Sequence, residues 1–599
     1  MSLAIILGGC SSQPGTDKVD LDSALEASQS ETLPALDSIL TEIPYQSLRK
    51  QPALALQALQ AAVIESRWEA AARLMTIIDP AQYVVDDLAR YSIAATQYWR
   101  HNRQYLSAQR WLDSPRLQND LPLMKAQDQV LISLMRADIL YQLGNYYASA
   151  QERMFIEGLL NQPDLIANNA TALWNTLLKM PMNELKLQHR RAVGESAKAW
   201  LELAIIQHTN QIDISKQAAQ AEAWRARWPN HSAAQNLPAS IGSLQSLSAN
   251  RPRVIAALLP LTGPLADGGK AVQDGLAAAY FSALQNGWEL PTLNSYDTNG
   301  HSVATLYQQA VNDGADLIIG PLQKDKVSEL LTMPTSVPII TLNYLANGMP
   351  SPVNVVQFGL ASEDEAVQLA QAARTNNFRN ALIIQSGANW SRRASEAFSK
   401  QWRQDGGVIL GNTTLSNADN YSAEIENSLG LPASVARLQR IQNIIGKTLV
   451  FTPRRRDDID AIFVFANSKQ ARRIKPLLAY HYAASLPVYS SSHINDGVKK
   501  QTKNRDLNDI VFNEMPWVLE SSDIKKQAAD RYRKNKNLGR LFAMGVDAFY
   551  LHPRIQQLQQ APDSVLQGMT GKLSLQNNRI VRELQLAKFV DGRVKTLKN

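Results

Sequence analysis

The residues that most suggest chemistry in this 599-residue chain fall short of it. Gly446-Lys447-Thr448 has the ending of a phosphate-binding loop, but the first glycine that loop requires would fall at 441, which is Ile. Gly268-Gly269-Lys270 fails the same way, with Pro at 264. His-Glu-x-x-His and Gly-x-Ser-x-Gly are absent. The eight histidines are scattered without metal-ligand spacing, and the nearest pair, His481 and His493, falls on different predicted elements. The sequence therefore points away from an enzyme, and it calls for neither a metal nor another cofactor.

One residue type does carry a reactive group in a telling position. The only cysteine, Cys10, cannot form an internal disulfide and leaves no multi-cysteine metal site. It ends the run Leu7-Gly8-Gly9-Cys10, which follows a short apolar segment. This is similar to the lipobox of a bacterial lipoprotein, in which the cysteine thiol is acylated and the preceding peptide removed. On that reading residues 1–10 are the remnant of the signal, Cys10 is the lipid attachment site, and residues 11–30 are a flexible tether. Ser11 stands where Asp would mark inner-membrane retention, which points to the outer membrane and its periplasmic face. No other run of 18 apolar residues occurs to span a bilayer.

The elements that position the rest are of two kinds. Residues 31–235 are rich in Ala, Leu and Gln, carry apolar residues at helical spacing, and are broken at Pro44, Pro52, Pro80, Pro115, Pro122, Pro163 and Pro181. A weak repeat places an aromatic three residues before an alanine: Trp68 and Ala71, Tyr105 and Ala108, Tyr147 and Ala150. With Leu143-Gly144-Asn145-Tyr146 it resembles tetratricopeptide units, whose stacks present a concave surface to a protein or polymer; a plain helical bundle is the alternative. Residues 236–252 carry Gly, Ser and Pro punctuation and read as a linker.

From residue 253 to 599 buried strands alternate with helices, which implies doubly wound parallel sheets. The expected fold class is thus multidomain α plus α/β. Val254–Leu259, Pro260-Leu261-Thr262-Gly263 and Gly275-Leu276-Ala277 resemble the opening of type I periplasmic binding proteins, and Gly314–Leu322 resembles their next strand crossover. That resemblance implies two α/β lobes around a cleft. Ligands of such sheets bind at the carboxyl ends of strands, so the candidate cleft residues are Thr262, Gly263, Gly320, Pro321, Lys324, Thr341, Asn343, Ser386, Ser490 and Ser491. Amino-acid-binding members place a serine shortly after Gly-Pro; here Leu322-Gln323-Lys324 follows instead, so a vestigial or protein-facing cleft is preferred.

The net charge of +7 is mild and no nucleic-acid motif accompanies it, so no nucleic-acid partner is implied. Between Lys447 and Arg540, however, 19 Lys and Arg face 10 Asp and Glu. Within that segment Arg454, Arg455, Arg456, Lys499, Lys500, Lys503 and Arg505 form two basic stretches, candidates for contact with an anionic partner or with peptidoglycan.

The order of these parts narrows the resemblance. A lipobox, a tetratricopeptide-like arm and a binding-protein lobe pair, with Trp228-Pro229-Asn230-His231, Phe358–Ala366, Phe542–Ala548 and Leu566–Gly571, are together similar to the LpoA family. That resemblance implies an outer-membrane lipoprotein that binds a class A penicillin-binding protein in the periplasm and stimulates its transpeptidase, with the lobes as a docking module. A lipid-anchored solute receptor of the amino-acid-binding type is the alternative.

Overall fold

The computed structural model describes residues 34–42, 51–209, 211, 213–345, 351–417, 419–497, 501–561 and 564–597. Cys10, the tether and Pro44 lie outside them, as do Lys499 and Lys500. The chain divides into two compact units, residues 1–210 with 216–242, and 211–215 with 243–599.

The helical unit repeats one local structure three times. The helix pairs are Pro52–Ile64 with Trp68–Ile77, Val85–His101 with Tyr105–Leu112, and Ala126–Gln142 with Tyr146–Glu157. Each pair turns on a residue with positive φ, Ser66, Arg103 and Gly144. The N–H one residue on closes the first helix, with Arg67 N donating to Ala62 O, Gln104 N to Trp99 O and Asn145 N to Leu140 O at 2.7–2.8 Å. This is the hydrogen bond of a left-handed helix stop. Only one of the three turns uses glycine, which is why the repeat is faint in the sequence. The repeated alanines Ala71, Ala108 and Ala150 are fully buried, where a larger side chain would hold the paired helices apart. Pro52, Pro115 and Pro163 open helices rather than break them, since the first turn has no use for their missing N–H. The stretch expected as a linker is not extended chain: it folds into the short helices Ala239–Gly242 and Leu244–Ala249, which bury Ile241, Leu244 and Leu247.

The second unit contains two sheets. Its strands are β1 (Val254–Leu259), β2 (Thr292–Asp297), β3 (Leu317–Ile319), β4 (Ile339–Thr341), β5 (Val355–Gln357), β6 (Asn380–Gln385), β7 (Val408–Thr414), β8 (Ala461–Phe465), β9 (Val488–Ser490), β10 (Ile510–Glu514), β11 (Leu566–Gln567), β12 (Lys572–Gln576), β13 (Arg579–Glu583), β14 (Gln585–Val590) and β15 (Arg593–Thr596). One sheet runs β11-β12-β13-β5-β4-β3-β1-β2 and the other β15-β14-β10-β9-β8-β6-β7. The parallel parts of both have the same doubly wound order, the second strand outside the first and the rest following on the other side. Each sheet with its helices is one lobe. The chain passes between lobes three times: after β5, after β10 and at Leu584, which alone separates β13 from β14.

The second passage explains two segments singled out in the sequence. Helix Lys536–Leu551 crosses helix Ala266–Gln285 at Gly545 and Gly275, where a Cβ on Gly545 would stand 2.1 Å from Val272 O and one on Gly275 would stand 2.1 Å from Phe542 O. Backbones this close leave no room for a side chain. On the same helix Asp547, fully buried, accepts the N–H groups of Met569 and Thr570 (2.6 and 2.7 Å) and the Thr570 hydroxyl (2.6 Å). The Leu566–Gly571 loop is thus held by the Phe542–Ala548 helix.

Candidate functional site: the cleft between the lobes

Between the two lobes lies a cavity of about 400 Å³. The first lobe contributes Lys324 at the start of helix Lys324–Leu330, Asn343 and Tyr344 after β4, Arg579 of β13, and Leu541 and Met544 of helix Lys536–Leu551. The second contributes Ser362, Glu363 and Asp364 in the first turn of helix Ser362–Arg374, Trp390 and Arg393 of helix Asn389–Gln404, and His493.

Most of the charge in this cavity is already paired. The Arg393 guanidinium meets Glu363 at 2.5 Å. Burial alone would raise the Glu363 carboxyl, but Arg393 holds it below its usual range. Arg579 approaches Asp364 at 3.5 Å and lies over the Tyr344 ring, 3.9 Å from its centre. Burial nevertheless raises Asp364, and it also raises the Tyr344 phenol. His493 stacks on Trp390 at 3.9 Å, and burial lowers its pKa against the pull of Glu365. A helix N-terminus is a natural anion site, yet at Ser362–Arg374 the chain's own Glu363, Asp364 and Glu365 occupy the first turn. Glu365 takes the N–H and hydroxyl of Ser492 at 2.9 and 3.0 Å. Among the described residues Lys324 has no ion-pair partner, so it is the cleft's uncommitted cation.

Behind the cleft a buried ionic cluster joins the lobes. Glu514, at the end of β10, is wholly buried and accepts from Arg540 at 3.0 and 3.1 Å, Lys536 at 3.3 Å, Asn495 at 3.0 Å and Met515 N at 3.1 Å. Burial would raise Glu514, but Arg540 first and Lys536 second hold it below the usual carboxylate range. Burial pushes Lys536 down to about 8, so Arg540 is the principal counter-charge.

Of the ten cleft residues expected from sequence, Lys324 and Asn343 line the cavity; the other eight do not. Thr262 donates to Asp297 at 2.6 Å and helps pull that carboxyl down to about 2, against the effect of its desolvation. Gly263 turns against the side chain of Asn299. Gly320 precedes Pro321 where a Cβ would stand 2.2 Å from Leu258 O, so this pair serves strand packing. Thr341 donates to Asn343 O, Ser490 to Val464 O, and Ser491 pairs with His493; Ser386 receives its contact through its own N–H, which donates to Ser391. The strand-end rule named hydroxyls that are spent elsewhere, Thr341 and Ser490 on backbone carbonyls and Thr262 and Ser491 on the side chains of Asp297 and His493. It missed Trp390, Arg393, Glu363, Asp364 and Arg579, which meet only because the chain passes between lobes.

The two basic stretches are separate surfaces. Arg454 is exposed, Arg455 donates to Tyr482 O at 3.2 Å, and Arg456 forms a two-pronged pair with Asp458 at 2.7 Å. Lys503 and Arg505 are exposed on the turn around the short helix Gln501–Asn504. His481 bonds Ser422 at 2.9 Å and His493 stacks on Trp390, so the two histidines serve different contacts. Among the described residues no group of three His, Cys, Asp or Glu is placed to hold a metal, and no helix is long and apolar enough to cross a membrane.

A two-lobed unit of the periplasmic-binding-protein type, with a cleft whose charges are mostly paired among themselves, follows a helical-repeat unit. Comparison with known proteins places that combination: the chain belongs to the LppC putative lipoprotein family, which matches residues 31–592. It is 28% identical over 609 residues to the penicillin-binding protein activator LpoA of Vibrio antiquarius, covering 98% of this chain and 97% of that one. The LpoA of Photobacterium profundum is 28% identical over 77% of this chain and 76% of its own. A solved structure of Haemophilus influenzae LpoA superposes with a TM-score of 0.55 at 19% identity, over 97% of this chain and 100% of that one, and shares the fold. The expected fold class and the resemblance to the LpoA family are both borne out.

Proposed function

We propose that this chain is an outer-membrane lipoprotein, anchored through acylated Cys10 on the periplasmic face, that binds a class A penicillin-binding protein and stimulates its transpeptidase by contact, without chemistry of its own. The observation that carries this reading is the span of the likeness: proteins named penicillin-binding protein activators match both units, nearly end to end. The cleft supports it. An amino-acid receptor needs an open cation for the carboxylate and an open anion for the ammonium, whereas Arg393, Arg579, Glu363 and Asp364 are paired among themselves.

The test is surface plasmon resonance of residues 34–599 against a purified class A penicillin-binding protein in detergent. Saturable binding is expected; its absence would remove the reading. The solute-receptor alternative draws on Lys324 and on the cavity itself. Isothermal titration with the common amino acids is expected to give no heat of binding, and a bound amino acid would favour the receptor.

A further inference from the structure

The two lobes share one winding order, and comparing them exposes an insertion. In the first lobe four residues, 313–316, connect the helix Val303–Asn312 to β3. At the equivalent place in the second lobe 32 residues, 429–460, connect the helix Tyr421–Ser428 to β8. The added segment is a helix, Leu431–Ile445, and a returning strand of irregular chain. Left-handed Gly430 and Gly446 set its two ends. Among the described residues it is held at its base, where Leu431 and Ser434 are buried, Arg454 N donates to Ser434 Oγ at 3.1 Å and Arg456 N to Leu429 O at 2.9 Å.

Beyond that base the arm exposes apolar side chains that a monomer has no reason to expose together. Ile441, Ile444, Ile445, Leu449, Val450 and Phe451 are all exposed, Ile444 by 83% and Val450 completely. Residues 427–456 contain no Asp or Glu, yet include Arg437, Arg440, Lys447 and Arg454, all exposed. Exposed Tyr482 sits at the base, its carbonyl held by Arg455. An apolar tip flanked by Arg437, Arg440, Lys447 and Arg454, with Asp457 and Asp458 confined to the base, has the composition of an interface hot spot, and it complements an apolar groove rimmed by carboxylates.

Resting on the activator reading above, we infer that the 429–460 arm is the surface that docks on the synthase, its Ile444–Phe451 tip entering an acidic-rimmed apolar groove of that protein.

The test compares full-length wild type with I444D/V450D and with R437E/R440E for binding to the purified class A synthase. Both pairs are solvent-exposed, so melting temperatures should match wild type and losses of binding would not reflect unfolding. The apolar pair should weaken binding by about 100-fold or more, and the charge reversal by about 10-fold with a shallower salt dependence. Wild-type binding with I444D/V450D within about threefold of it would overturn the docking surface and leave the activator reading standing. No binding by wild type would overturn the activator reading itself. Two further outcomes would also overturn the surface, each with synthase binding unchanged: loss in the variant of wild-type binding to phosphatidylethanolamine–phosphatidylglycerol vesicles, or loss of wild-type self-association in sedimentation.

Discussion

Glu514→Gln removes the one carboxylate that Arg540 and Lys536 share behind the cleft. Glu514 is fully buried, and Lys536 and Arg540 are nearly so, with side chains 11% and 12% exposed. Breaking a buried pair from one side leaves an uncompensated charge, at about 3–5 kcal/mol. The amide keeps the shape and can still accept one N–H, so the loss should fall near the lower figure, about 3 kcal/mol. With a urea dependence of about 3 kcal/mol per molar, the unfolding midpoint of the two-lobed unit should drop by about 1 M. The assay is urea unfolding of the full chain, followed by hydrogen exchange resolved to peptides, so that the helical repeat serves as internal reference. The pH dependence supplies an independent check. Lys536 is held at about 8 against an ordinary 10.5, so between those values the unfolded chain binds more protons and stability rises with pH. Without Glu514 the Lys536 value falls further, and the rise should begin at lower pH. A midpoint shift below about 0.3 M, with the pH profile unchanged, would refute the claim that this cluster holds the lobes together.

Other consequences follow from the same packing. Gly275→Ala and Gly545→Ala should each destabilise the two-lobed unit by about 2–3 kcal/mol, and the double variant by much less than the sum, because either methyl already forces the helices apart; calorimetry of the three variants checks this. Burial pushes His552 down to about 4 from 6.5, so its share of stability is complete above about 6.5 and is lost as pH falls toward 4, by up to about 3 kcal/mol. Asp547 opposes it: burial raises its carboxyl to about 6 from 3.8, so its share is present below 3.8 and lost as pH rises through 6. In melting curves across pH 4–7, His552→Gln should lessen the acid loss, whereas Asp547→Asn should deepen it.

Both halves of the fold were legible because their patterns are set by burial. β1 is buried along nearly its whole length, so it reads as a continuous apolar run, and the crossover helices follow at fixed intervals. The repeated helix pairs were legible through Ala71, Ala108 and Ala150, although Ser66 and Arg103 hide two of the three turns. Little of the cleft was legible. Lys324 and Asn343 sit where strand-end reasoning puts them, but Arg579 reaches Asp364 from 215 residues away, and no local spacing signals that pairing. The arm was legible only through its basic stretch Arg454–Arg456. Its exposure was not, because Ile441, Ile444 and Ile445 have the same periodicity as a buried helix face.

The central claim is activation by contact, and its most direct measurement is the rate at which a purified class A synthase cross-links lipid-linked peptidoglycan precursor, with and without residues 34–599. Cross-linking should rise with added chain and saturate at the binding stoichiometry, with no amino acid present. A cross-linking rate unchanged at saturating chain would contradict it.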